Sequence, residues 1–236
     1  MARSHPIVFL IDVDNTLLDN DEIQRDLKDY LADAYGDGAR DRYWKILGDL
    51  FDELGYRDYL GALQRYRIEH PLEVELLSTS FFLIDYPFAD RLFPGALEVL
   101  EQLSHLGPTV ILSDGDVVFQ PHKVECAGLG EAVKGRVLIY IHKEEALDDV
   151  ERRYPAERYV IVDDKPRILA AVKQFWGERV TTVFVRQGSY AHDPKVVGGF
   201  PAADMTIECI ADLLDRDLLR PWLTSSVPVS NLESTR

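Results

Sequence analysis

The stretch Ile7-Val8-Phe9-Leu10-Ile11, running into Asp12-Val13-Asp14-Asn15-Thr16, limits what this chain can fold into more than any other. A run of apolar residues rich in β-branched types predicts a strand buried on both faces, and such strands belong to parallel sheets covered by helices. The run stops on a pair of carboxylates at i, i+2. At the carboxyl end of a parallel strand, where ligands bind in α/β sheets, such a pair repels unless a cation lies between its members. A short loop of oxygen donors suits Mg²⁺. The plainer alternative is an Asx-capped turn, because Asp and Asn favour strand ends in any case.

The rest of the chain supplies a context for that strand. Apolar runs at Thr109–Leu112, Val137–Ile141, Tyr159–Val162 and Thr181–Val185 alternate with helical patterns, and a short Met205-Thr206-Ile207 precedes a Leu-rich helix from about Ile210. Alternation of this kind predicts right-handed crossovers and a parallel sheet with helices on both faces. No strand run falls between Asp19 and Leu92. That region carries apolar stripes at helical spacing (Ile23, Leu27, Leu31; then Tyr43, Ile46, Leu47, Leu50), a weaker pattern from Asp58 to Glu69, and Pro71, placed to start a fourth helix. Asp19 and Glu22 have capping-box spacing, and Gly36 with Gly38 should stop the first helix. The expected architecture is an α/β core of residues 1–18 and 93–222, an all-helical insert of 19–92 and a tail of 223–236. Within the insert most aromatics lie on the stripes. Gly55-Tyr56-Arg57 sits at a break between helices, which makes Tyr56 and Arg57 candidates for contact with a substrate.

Later strands end in polar groups as well. Ser113-Asp114-Gly115 offers a hydroxyl and free backbone N–H groups that can cradle a phosphate. Lys143, after Val137–Ile141, could neutralise a phosphate oxygen or a carboxylate, although a solvated helix start is the simpler reading; neighbouring His142 is given no role. Asp163-Asp164 closes Tyr159–Val162, and adjacent carboxylates on a buried strand are costly without compensation. Together these residues meet the needs of phosphoryl transfer to a carboxylate: Asp12 to attack, Mg²⁺ with Asp164 and Lys143 to offset charge, Ser113 to hold the phosphoryl group, Asp14 to move the proton.

In this order the motifs resemble those of the haloacid dehalogenase superfamily, from about Ile7 to Val185. The resemblance implies a Rossmann-like core with strand order 5-4-1-2-3 and an insert similar to the family's type 1 cap, which closes over the site. It implies Asp12 as nucleophile and Asp14 as acid/base, with the Asp14 carbonyl on Mg²⁺. Ser113 and the Asp114 amide would bind the phosphoryl group and Lys143 would hold it. Asp164 would be the direct third metal ligand and Asp163 a lesser one. Members that are true dehalogenases lack an acid at the Asp14 position and need no Mg²⁺, so the resemblance points to phosphoryl transfer. A phosphonate-cleaving member would need a Schiff-base lysine in the cap; Lys28 and Lys45 are the only lysines there, and neither context matches. Asn15 stands where the family often has glycine. The expected function is a Mg²⁺-dependent phosphatase acting on a small phosphorylated metabolite. A phosphomutase shares every core residue, and a non-catalytic phospholigand-binding scaffold is the reading from another class.

A net charge of −15, from 41 acidic and 26 basic residues, argues against nucleic-acid or anionic-membrane partners. It does not exclude an anionic substrate, because a metal and one lysine can reverse the local field. Cys126 and Cys209 are far apart and lack metal-ligand spacing, so both are expected to be small buried hydrophobes. The N-terminus leads directly into the first strand, and no apolar run approaches the ~20 residues that span a bilayer. A cytoplasmic protein of undetermined oligomeric state is expected.

Overall fold

The computed structural model describes residues 4–72 and 76–223. Strands β1 (His5–Ile11), β2 (Thr109–Asp114), β3 (Val137–Tyr140), β4 (Ala156–Asp163), β5 (Val180–Val185) and β6 (Met205–Ile207) form one sheet in the order β3-β2-β1-β4-β5-β6. Every neighbouring pair is parallel. Read from its other edge this is the expected 5-4-1-2-3 order, with β6 added beside β5. Successive side chains of β1 enter opposite cores: Ile7, Phe9 and Ile11 face one, Val8 and Leu10 the other. A strand covered on both sides has no use for polar residues, which is why its sequence reads as an unbroken apolar run.

Between β1 and β2 lie α1 (Asn20–Tyr35), α2 (Asp37–Leu54), α3 (Tyr59–Glu69) and α4 (Leu76–Ile84). Helix α5 (Ala96–Ser104) leads into β2, after which come α6 (Phe119–Cys126), α7 (Leu129–Ala132), α8 (Leu147–Arg153), α9 (Pro166–Trp176), α10 (Pro194–Val197) and α11 (Arg216–Leu223). Helices α5, α6, α7 and α11 pack on the Phe9 face, whereas α8 and α9 cover the Leu10 face. The apolar cluster of the Phe9 face continues without a break into Leu47, Tyr59 and Leu63 of the insert. Two connections join insert to core side by side: Phe93 N donates to Leu17 O at 2.9 Å and Asp19 N to Arg91 O at 2.8 Å.

Several local expectations change. The Asp19 carboxylate caps α1 through Glu22 N at 2.9 Å, but the Glu22 side chain pairs with Arg25 instead of returning to the cap, so the box is half made. Gly36 ends α1, while Gly38 falls inside α2. Pro71 lies in a turn and does not open α4. The C-terminal segment from Ile210 is a 3₁₀ turn, Ile210–Leu214, followed by the separate α11. Both cysteines are exposed, not buried. Cys209 is at a helix-turn start, where its thiol and backbone meet Asp212, and Cys126 ends α6 on its outer face. Of the expected tail, residues 224–236 lie outside the described residues. Among the described residues no helix is long and apolar enough to cross a membrane.

Candidate active site

Strand register assembles the site. Ile11 is level with Ile111 of β2 and with Val162 of β4, so Asp12 and Asp163 emerge together at the sheet's carboxyl edge, and Asp12 N donates to Val162 O at 3.0 Å. Ser113 and Asp114 end β2 beside Ile139 and Tyr140 of β3, which brings the next turn, with Lys143, over the same edge. The Asp114 carboxylate pins that turn by accepting from Lys143 N at 2.8 Å.

Lys143 Nζ lies 2.5 Å from Asp12 Oδ1 and 2.6 Å from Asp163 Oδ2, and donates to Leu112 O at 3.2 Å. All three charged side chains are buried. Burial alone would raise the Asp12 pKa, but Lys143 and then Lys165 outweigh it and hold the carboxyl below its ordinary range. Burial likewise disfavours the Lys143 ammonium, and Asp12, Asp163 and Asp114 more than restore it. Thr16 Oγ1 donates to Asp12 Oδ2 at 3.2 Å. The Asp12 carboxylate is thus anionic and fixed at both oxygens, the state a nucleophile needs.

Asp164 is different. Among the described residues neither of its buried oxygens has a hydrogen-bond partner, and Lys165 Nζ stands 3.8 Å from one of them. Burial pushes its pKa up strongly against the pull of Lys165. Asp12, Asp163 and Asp164 each present an oxygen within 4.8 Å of the others. An unpartnered buried carboxylate is costly unless it is neutral or ligates a metal. A cluster of carboxylate oxygens is the donor set of a hard divalent cation, so these residues fit one.

The Asp14 side chain turns away from this cluster. Its Oδ1 meets Lys123 Nζ at 2.8 Å and its Oδ2 accepts from Gln120 Nε2 at 3.3 Å; the same amide reaches Ser113 Oγ at 3.0 Å. Asn15, next in the chain, has φ +61°, a left-handed conformation that asparagine tolerates far better than most residues, and this accounts for its standing in a glycine position. Tyr56 and Arg57 are half-buried in the loop between α2 and α3. Gly55 there lies against His142, and Asp116 of the β2 loop is among the charges acting on Tyr56. The structure therefore groups Asp12, Asp163, Asp164 and Lys143 tightly, sets Asp14 and Ser113 together on one flank, and hangs Tyr56 and Arg57 from the insert above.

Sequence reasoning missed Thr16, Asn20, Tyr59, Gln120, Lys123 and Lys165. Lys165 adjoins the double acid and could have been noticed. Gln120 and Lys123 sit on a helix without an apolar stripe, and nothing local marks them.

A parallel α/β sheet with acids and a lysine gathered at the carboxyl ends of its central strands, beside a helical insert, has the architecture of an α/β enzyme with its site at the sheet's carboxyl edge. The chain belongs to the haloacid dehalogenase-like hydrolases, whose family model matches residues 8–175. It is similar to a protein of Burkholderia xenovorans LB400 described as a haloacid dehalogenase-like hydrolase, at 60% identity and a TM-score of 0.86 over 89% of this chain and 98% of that one. The HAD-hydrolase YfnB of Bacillus subtilis, in a magnesium-bound structure, shares 16% identity at a TM-score of 0.60, covering 93% of this chain and 99% of that one. The L-2-haloacid dehalogenase of Xanthobacter autotrophicus, with chloropropionic acid covalently bound, shares 18% at 0.57, over 92% and 98%. At these lower identities the likeness is one of fold. No curated protein matches the chain.

Proposed function

We propose that this hydrolase is a Mg²⁺-dependent phosphatase of small phosphorylated metabolites. The observation that carries the reading is the pair of buried, unpartnered Asp164 oxygens beside Asp12, an arrangement suited to a metal that phosphoryl transfer requires. Asp12, Asp163 and Asp164, with the Asp14 carbonyl, would hold the ion. When bound it offsets negative charge on the nucleophile and on the phosphoryl oxygens.

Asp12 attacks phosphorus opposite the leaving oxygen, forming the Asp12–phosphorus bond as the ester P–O bond breaks. Asp14 gives its proton to the leaving oxygen, then takes one from the water that hydrolyses the aspartyl-phosphate, returning Asp12 and free phosphate. Ser113 and the Asp114 amide bind the phosphoryl oxygens and Lys143 balances their charge. The insert acts as a type 1 cap, with Tyr56 and Arg57 reading the leaving group. The Arg57 guanidinium rests 5.4 Å from the Phe51 ring, and among the described residues no carboxylate pairs with it. This supports a leaving group that carries a second anion, such as a carboxylate.

Phosphate release from a panel of esters, with Mg²⁺ and with EDTA, tests the reading. Stoichiometric, Mg²⁺-dependent release, greatest for esters bearing a second anionic group, is expected, and Asp12→Asn should reduce it by about 10⁴-fold or more. Release that survives EDTA or Asp12→Asn, or halide release from 2-haloacids in its place, would overturn it.

A further inference from the structure

Helix α6 presents a lysine and a glutamine to the candidate site. Lys123 is buried, and lysines are almost never fully buried unless paired. Its Nζ spans from Asp14 Oδ1 at 2.8 Å to Asn20 Oδ1 at 3.1 Å. One turn earlier, Gln120 Nε2 lies between Asp14 Oδ2 and Ser113 Oγ. Both oxygens of one carboxylate are therefore held from a single helix face.

The helix is itself fixed. Asp116 Oδ1 caps it by accepting from Val118 N at 2.8 Å and Phe119 N at 2.6 Å. The Phe119 ring packs against Tyr59 at 5.3 Å and Phe88 at 5.8 Å. The Gln120 side chain lies where a Cβ on residue 115 would stand, 2.6 Å away, so glycine there leaves it room.

We infer that Lys123 is a positioning residue for proton transfer: with Gln120 it fixes both oxygens of the Asp14 carboxyl and so sets the orientation from which Asp14 meets the leaving oxygen. This rests on the phosphatase reading. As the Asp12–phosphorus bond forms and the ester P–O bond breaks, the Asp14 proton passes to the leaving oxygen, releasing an alcohol and leaving Asp14 anionic beside the Lys123 ammonium. Asp14, held in the same place, then accepts a proton from the attacking water. A lysine that only neutralised a half-buried acid would serve packing, and its loss would affect all substrates alike.

The test compares kcat/KM, which reports steps up to departure of the leaving group, across monoesters from alkyl through p-nitrophenyl to 2,4-dinitrophenyl phosphate. Lys123→Met should lose about 10²–10³-fold on alkyl phosphates, within the range of a general acid, and less than about 10-fold on the dinitrophenyl ester, whose phenolate leaves unprotonated. Gln120→Leu should show the same tilt more weakly, and Lys123→Arg should recover part of it. Adding Lys123→Met to Asp14→Asn should steepen the dependence no further, as expected for residues acting through one group. An equal loss across the series, or an additive loss in the double variant, would overturn the inference. If Lys123→Met does not fold, Gln120→Leu and Lys123→Arg decide the point, since a flat response in both would also overturn it. A wild-type enzyme that releases phosphate from none of these esters would remove the phosphatase reading, and this inference with it.

Discussion

Tyr59, the first residue of α3, carries a buried hydroxyl that has no hydrogen-bond partner of good geometry among the described residues. Its ring packs against Phe119, and its carbonyl accepts from Tyr43 Oη at 2.8 Å. Arg57, Asp14 and Asn20 are among the polar groups acting on it. Burial raises its pKa and keeps it a neutral donor at physiological pH. A buried unsatisfied hydroxyl costs about 1–3 kcal/mol, so Tyr59→Phe should raise the melting temperature. If the hydroxyl serves the leaving group, the same variant should raise KM severalfold with kcat retained. Melting curves and steady-state kinetics check both halves; a destabilised Tyr59→Phe would mean that the hydroxyl is already satisfied within the protein.

Elements meet the site through their ends. Gly55 terminates α2 with φ +82°, and a Cβ at that position would come 2.6 Å from the His142 ring. The left-handed conformation alone costs a side chain about 1–2 kcal/mol. Gly55→Ala should therefore lower the melting temperature and, by pushing the Tyr56–Arg57 loop off the β3 turn, raise KM. Combining it with His142→Ala separates the causes. The double variant should regain KM, because the collision is gone, while the backbone strain and the lower melting temperature persist. If KM stays high in the double variant, the loop's seat on His142 is not what places it.

Over the whole molecule, the acid cluster ties folding to pH and metal. Burial raises the Asp163 pKa to about 6 despite Lys143, and raises Asp164 further from its ordinary value. Between the ordinary carboxylate range near ~4 and these raised values the folded protein holds protons that the unfolded chain has released. The stability these groups contribute is complete below that window and is lost as pH rises through it. Asp12 and Asp26 are shifted down, so their contribution disappears only when pH falls below the same range. In EDTA the melting temperature should fall from about pH 4 to above pH 6, and Mg²⁺ should raise it more at pH 8 than at pH 5, because a ligating carboxylate must be deprotonated. Asp164→Asn should raise the metal-free melting temperature at pH 8 and abolish most of the Mg²⁺ effect. An unchanged Mg²⁺ response in that variant would exclude Asp164 as a ligand.

What the sequence by itself determined was the apolar patterning that near neighbours carry, and not every local boundary. β1 was legible because a strand covered on both faces must be apolar at every position. The helical insert showed as stripes at 3.6-residue spacing, and Asp12, Ser113, Lys143 and Asp163-Asp164 stood out because each follows such a strand directly. Tertiary structure alone decided which of those side chains meet. Lys143 reaches Asp12 across 131 positions, and Lys123 reaches Asp14 across 109. Nothing near Lys123 distinguishes it from a solvated lysine on a short helix; only the seating of α6 against the Tyr59 and Phe88 rings turns its face inward. Asp14 likewise reads as one of a metal-binding pair, yet its carboxylate meets Lys123 and Gln120 of α6, which only the packing of that helix brings to it. Local periodicity reports which face of an element is buried. What waits on the other side depends on packing between segments far apart in the chain.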